Sequence, residues 1–284
     1  MLRKNNKISN GKKIGIFDSG LGGLIVAKAI RRAMPQYDYV YLGDTKRVPY
    51  GNRSHQAVFE FTKEAVNHLF QKENCAIVII ACNTSSARAL KPLQKYFKNQ
   101  SRRRKGSGPR PKASGKVLGV LIPAAEEAAK FKNVGVLGTA GTVASRAFPE
   151  EIQKLNKKTK VFQNSAPMLV PLAEAGEKAS ALPFIKKYLQ PFVGKKIDAL
   201  VLGCTHYPIY KKEIKKIVGT KVKIISQDEI VPIKLKNYLT RHEEISKKLS
   251  RGKTAKILIT DETQTIDALT RKWFGNVKPK LIAL

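Results

Sequence analysis

The sequence predicts an α/β fold of two similar lobes, each a mostly parallel sheet flanked by helices. Short apolar runs alternate with longer amphipathic stretches over the whole chain, the pattern of strands covered by helices. IGIF (Ile14–Phe17) and VGVL (Val134–Leu137) are alike, and each runs into a small glycine-containing turn. IIACNT and VLGCTH are alike as well, each an apolar run ending in cysteine, and Cys82 and Cys204 are 122 residues apart. A duplicated unit delivering one thiol from each lobe accounts for the matched spacing.

In chain order, strands are expected at 14–17, 37–42, 76–81, 117–121, 134–137, 160–163, 199–202, 222–225 and 256–259. A helix is expected from about Ser54 to Gln71, with Val58, Phe61, Ala65 and Leu69 on one face. Another follows Pro208, with Ile209, Ile214, Ile217 and Val218 facing inward and Gly219 as its stop. Residues 99–114 hold Arg, Lys, Gly, Ser and Pro and nothing to bury, which reads as a surface loop or linker. The first lobe is expected to be discontinuous, 1–116 together with 209–284, with the basic loop at about 98–116. The second spans 117–208.

Composition narrows the function classes. With 42% hydrophobic and 26% charged residues among 284, the chain has enough apolar material for a packed core. The first thirteen residues contain no apolar run, so no secretion signal is expected, and no apolar run is long enough to span a bilayer. A cytoplasmic protein without membrane attachment follows as the expectation. Three cysteines in such a chain argue for free thiols over a disulfide framework.

The net charge is +33, from 54 Lys and Arg against 21 Asp and Glu. Residues 98–116 hold eight of the cations and no acid. Such a field attracts polyanions without sequence preference, yet no groove-binding or aromatic-rich motif accompanies it. Surface solubility accounts for the charge equally well.

The chemistry concentrates where the two cysteine-bearing runs end. Ligands of open α/β sheets bind at the carboxyl ends of strands. After Cys82 come Asn83, Thr84, Ser85 and Ser86; after Cys204 come Thr205, His206 and Pro208. A helix start lowers a nearby thiol's pKa and offers donors to a carboxylate. Cys75 lacks polar company and reads as a small buried hydrophobe. Inverting a Cα–H centre without an electron sink requires acid/base groups on opposite faces of the substrate, and two thiols from facing lobes meet that requirement.

IFDSGLGGL (Ile16–Leu24) has neither dinucleotide-fingerprint nor P-loop spacing, so its glycines read as room for a small ligand. Asp18 at that turn either orients an acid/base group or caps the turn. Cys82 to Arg88 fits the C-x5-R spacing of cysteine phosphatases, without the glycines of a phosphate cradle and with Cys204 unused. A metal site from Cys82, Cys204 and His206 lacks a fourth ligand.

GIFDSGLGGL (15–24), YLGDTKRVPYG (41–51), ACNTSSA (81–87), VPLAEAG (170–176) and LVLGCTHYP (200–208) together resemble the glutamate racemases within the aspartate/glutamate racemase group. The resemblance runs from about Lys13 to Gly275 and favours glutamate over aspartate as substrate, an aspartate or other amino-acid racemase being the alternative. It implies an active site between two pseudo-symmetric lobes and chemistry without pyridoxal phosphate, metal or nucleotide. It implies that Cys82 takes the α-proton of D-glutamate and Cys204 that of L-glutamate, with Asp18 and His206 as their supporting groups. Ser19, Tyr50, Gly51, Asn83, Thr84 and Thr205 are the implied substrate contacts, with Asp18 and His206 among them, and Asp44 and Glu174 the implied supporting acids. A homodimer is the expected assembly, and D-glutamate for peptidoglycan the expected product. The basic stretch and the high net charge depart from the family pattern without touching these motifs.

Overall fold

A computed structural model describes residues 11–103 and 115–284. Its strands are β1 (Lys13–Asp18), β2 (Tyr39–Gly43), β3 (Cys75–Ile80), β4 (Lys116–Gly119), β5 (Asn133–Gly138), β6 (Lys160–Ser165), β7 (Ala199–Gly203), β8 (Lys223–Ile225), β9 (Ala255–Ile259) and β10 (Lys280–Leu281). They form two all-parallel sheets. One has the order β10-β9-β2-β1-β3-β4, the other β6-β5-β7-β8. Within each sheet the first four strands in chain order are arranged 2-1-3-4, so the lobes share a topology as well as a sequence rhythm.

The helices are α1 (Gly23–Ala33), α2 (His55–Gln71), α3 (Asn83–Arg103), α4 (Leu121–Ala128), α5 (Ala140–Ala144), α6 (Ala147–Leu155), α7 (Leu169–Glu174), α8 (Lys178–Leu189), α9 (Lys211–Val218), α10 (Gln227–Arg241), α11 (Glu243–Ser246) and α12 (Gln264–Trp273). Alternating side chains split each strand between two cores. Ile14, Ile16, Ile77, Ile79, Ile257 and Ile259 pack with α1, α10 and α12 on one face of the first sheet. Phe17, Val40, Leu42, Val78, Ile80 and Leu258 pack with α2 and α3 on the other. Leu137, Leu200, Leu202 and Ile224 face α7, α8 and α9; Val134, Val136, Val201 and Ile225 face α4 and α6.

Local signals explain the boundaries. Ser54 caps α2 by accepting from Ala57 N at 3.2 Å. Gly219, at φ +89°, ends α9 in a conformation closed to other L-residues. Four expectations are corrected. The strand at 116–119 pairs with β3 in the first sheet, not the second, and the strand at 223–225 pairs with β7 in the second, not the first. Both are short apolar runs, and only pairing decides their sheet. Cys75 opens β3 and does not merely precede it. Residues 99–103 continue α3, as Asn99 to Arg103 include no Gly or Pro; residues 104–114 of the expected loop lie outside the described residues. No helix among the described residues is long and apolar enough to cross a membrane.

Asp38, just before β2, ties the sheet to the 250–254 loop. It accepts from Gly252 N (3.0 Å), Thr254 N (2.8 Å) and Thr254 Oγ1 (2.6 Å). Burial pushes its carboxyl up, but these bonds and one from Ser250 outweigh burial and lower it to about 2. A depressed carboxylate stabilises the fold above its ordinary range near 4 and loses that contribution as pH falls toward 2. Asp38→Ala therefore lowers unfolding free energy at pH 7 by about 2 kcal/mol. The difference from wild type shrinks in urea melts between pH 4 and pH 2; a constant difference across that window contradicts the assignment.

Candidate active site

Both sheets reverse their strand order between the first and third strands, and ligand crevices of open α/β sheets lie at that point. In the first lobe Asp18 ends β1 and Cys82 lies two residues beyond the end of β3. In the second, Thr139 follows β5 and Cys204 follows β7. The duplicated rhythm thus places two cysteines at equivalent positions of equivalent sheets.

The two thiols have different company. Cys82, 6% exposed, receives a hydrogen bond from Ser85 N at 3.4 Å in the first turn of α3. Burial, then the Asp18 charge, push its thiol up to about 11, against hydrogen bonds from Ser19 and Ser85. Asp18 is buried and its Oδ2 accepts from Gly20 N at 3.0 Å. Burial raises its carboxyl although the His206 charge and the backbone N–H groups of Gly20 and Gly23 oppose it. Asp18 Oδ1 has no partner among the described residues.

Cys204, also 6% exposed, has His206 Nδ1 3.7 Å from its sulfur, and His206 Nε2 lies 3.0 Å from Glu174 Oε1. Burial pulls the His206 imidazolium down, but its bonds to Cys204 and Glu174 prevail and raise it to about 10. The ring of Trp273, at the end of α12, stands edge-on to His206 with centroids 5.5 Å apart. Below pH 10 a cation thus sits beside Cys204, whereas a carboxyl sits beside Cys82.

The half-sites lie against each other across the lobe boundary. Asp18 responds to the charges of both His206 and Glu174 from the other lobe. Thr84 Oγ1 is 2.8 Å from Thr139 Oγ1 and 3.4 Å from Thr142 Oγ1, which are 3.0 Å from each other, a triangle of hydroxyls across the lobe boundary. A Cβ on Gly22 would lie 2.4 Å from Thr205 Oγ1 and 2.5 Å from His206 Cε1, so only glycine lets the first-lobe turn approach the Cys204 loop this closely. Gly22→Ala accordingly leaves the far-UV spectrum unchanged but separates the half-sites, and kcat/KM falls about 10²-fold. A kcat/KM within threefold of wild type contradicts this close approach.

Asp18, Ser19, Cys82, Asn83, Thr84, Glu174, Cys204, Thr205 and His206 come together in this way. Asp44 does not reach the thiols. It is fully buried and accepts from Tyr50 Oη, Arg47 Nε (2.6 Å) and Thr260 Oγ1 (2.8 Å). It therefore holds the Tyr50–Gly51 turn, whose Gly51 packs against Thr139. The Tyr50 hydroxyl is spent on Asp44. Arg88 donates to Arg53 O, and the residues from Asn83 to Arg88 are helical, so no phosphate cradle forms. No three His, Cys, Asp or Glu side chains gather as a metal ion needs among the described residues.

Sequence reasoning missed Thr139, Thr142, Gln227 and Trp273. The first two had a signal, since VLGTAGT (136–142) occupies in the second lobe the place of IFDSGLG in the first.

Residues 24–228 match the family described as Asp/Glu/Hydantoin racemase. A glutamate racemase of a Sulfurihydrogenibium species is 37% identical over 276 residues, 95% of this chain and 97% of that protein. The chain belongs to the glutamate racemase family. Two solved members share its fold at a TM-score of 0.84: a glutamate racemase isoform of Bacillus anthracis, 32% identical, covering 97% of this chain and 98% of that one, and the enzyme of Francisella tularensis in complex with D-glutamate, 28% identical, covering 96% and 98%. The family's match spans both cysteines and the switch point of the second sheet, while β1 and Asp18, on one side of the first sheet's switch point, lie before it.

Proposed function

We propose that this chain interconverts L- and D-glutamate without a cofactor, using Cys204 and Cys82 as the acid/base pair. The observation that carries the reading is the placement of one thiol at the switch point of each sheet, each with its own charged partner. Cys204, as thiolate beside the His206 cation, takes the α-proton of L-glutamate, and the Cys82 thiol delivers a proton to the opposite face. D-Glutamate leaves Cys82 as thiolate and Cys204 as thiol, the state that runs the reverse reaction.

Asp18 and His206 sustain the two thiols, and Glu174 holds His206. Asp44 acts through the Tyr50–Gly51 turn. Ser19, Asn83, Thr84 and Thr205 supply donors that stabilise charge developing at the α-carboxylate. The product serves peptidoglycan assembly in the cytoplasm, and the working unit is a homodimer.

The test is incubation with L-glutamate in deuterated buffer, without added cofactor, following circular dichroism and the α-proton together. Loss of optical activity with deuterium entering Cα supports the reading; folded protein that changes neither signal overturns it. A side activity, weak binding of polyanions, is favoured by the +33 charge. It requires affinity for a mixed-sequence duplex that falls steeply with salt, and salt-insensitive binding excludes it.

A further inference from the structure

Among the described residues, the one inter-element hydrogen bond of Asn83's side chain comes from a residue outside the motifs quoted above. Gln227, the first residue of α10, is 0% exposed, and its Nε2 donates to Asn83 Oδ1 at 3.0 Å. Asn83, 2% exposed, follows Cys82 directly. Asn83 Nδ2 has no partner among the described residues, and neither has Gln227 Oε1. A buried amide donor without an acceptor is costly, and is kept where a ligand completes it.

We propose that Gln227 is a positioning residue that sets the polarity of the Asn83 amide. By occupying Oδ1 with a donor, it leaves Nδ2 as the free group and fits the site to an acceptor, the carboxylate of the amino acid. The inference rests on the reading of the cleft as a glutamate site. Nothing in Asn83 itself selects this orientation, because a primary amide offers a donor on one side and an acceptor on the other. The choice is made jointly with Gln227, which donates through Nε2 and leaves its own Oε1 without a partner among the described residues.

That partner enters from the second lobe. Ser226 and Gln227 follow β8 of the second sheet, and α10 then packs on α1 of the first. Gln227 thus stands where the chain returns across the lobe boundary, and its bond joins that crossing to the residue beside Cys82. Substrate recognition at Cys82 is thereby tied to lobe placement.

Two substitutions separate polarity from packing. Gln227→Met keeps volume and removes the donor. Gln227→Glu keeps volume and offers only acceptors when ionised, so the Asn83 amide turns its Nδ2 toward residue 227 and presents Oδ1 to the site. A carboxylate is tolerated in the first turn of a helix, so the second variant folds; thermal melts check both.

KM for both enantiomers rises about tenfold in Gln227→Met with kcat within threefold, and rises further in Gln227→Glu. The dissociation constant of glutarate, a dicarboxylate without an amino group, rises in the same order by titration, a readout independent of turnover. Gln227→Met with KM and glutarate affinity within twofold of wild type overturns the assignment, as does Gln227→Glu binding glutarate no worse than Gln227→Met. Wild-type protein that binds glutarate but does not racemise glutamate overturns the racemase reading alone; wild-type protein that fails to bind glutarate overturns the proposal.

Discussion

Cys82→Ser and Cys204→Ser each lower kcat/KM for glutamate by about 10³-fold or more. Serine keeps the size of the side chain and its place at the strand end. It gives up a group that can exchange a proton near neutral pH. The two variants must suffer equally in both directions, because L- and D-glutamate are equally stable and the ratio of the two kcat/KM values is fixed at one. Rates alone therefore cannot say which thiol serves which face. Coupled circular-dichroism and deuterium-exchange assays measure the loss; either single variant retaining a tenth of wild-type activity rules out the two-thiol mechanism.

His206→Asn and Asp18→Asn follow, each with a loss of about 10² in kcat/KM, and they assign the faces. His206 touches Cys204, while Asp18 raises the Cys82 thiol. Removing the His206 cation slows the step made by Cys204. The primary isotope effect with α-deuterated L-glutamate then grows, and that with α-deuterated D-glutamate shrinks toward one. Asp18→Asn gives the opposite pattern. The reverse assignment in both variants would exchange the two thiols' roles. The pH profile adds a check: His206 is raised to about 10, so its charge is present below that pH and is lost as pH rises through it. Wild-type activity falls above about pH 10. His206→Asn lacks that limb and keeps only the loss near 11 from the Cys82 thiol.

Much of this was legible in the sequence because burial on both faces writes parallel strands as continuous apolar runs. Nine of the ten strands were expected, although β6 is only half-buried and its run is just Val161 and Phe162. The tenth, Lys280–Leu281, is two exposed residues with no pattern to detect. Cys82 was legible because a strand end followed by Asn, Thr and Ser marks a helix start, and Cys204 because the run before it resembles the one before Cys82. Gln227 and Trp273 were not. Their partners lie 144 and 67 residues away in sequence, and neither residue type signals a site alone. Asp44 illustrates another limit: its place in a motif was plain, but only the structure shows that its oxygens are consumed by Tyr50, Arg47 and Thr260.

The strand order has a consequence for a chain made from its N-terminus onward. Every strand of the smaller sheet has left the ribosome once residue 225 emerges, whereas β2 waits for β9, 30 residues later, and β9 waits for β10. The half begun first is finished last. During that interval the edge of β2 is open, with Val40 and Leu42 beside unpaired backbone groups, an invitation to pair with a neighbouring chain. The last thirty residues, remote from either thiol in sequence, thus decide whether newly made protein closes its own sheet or aggregates.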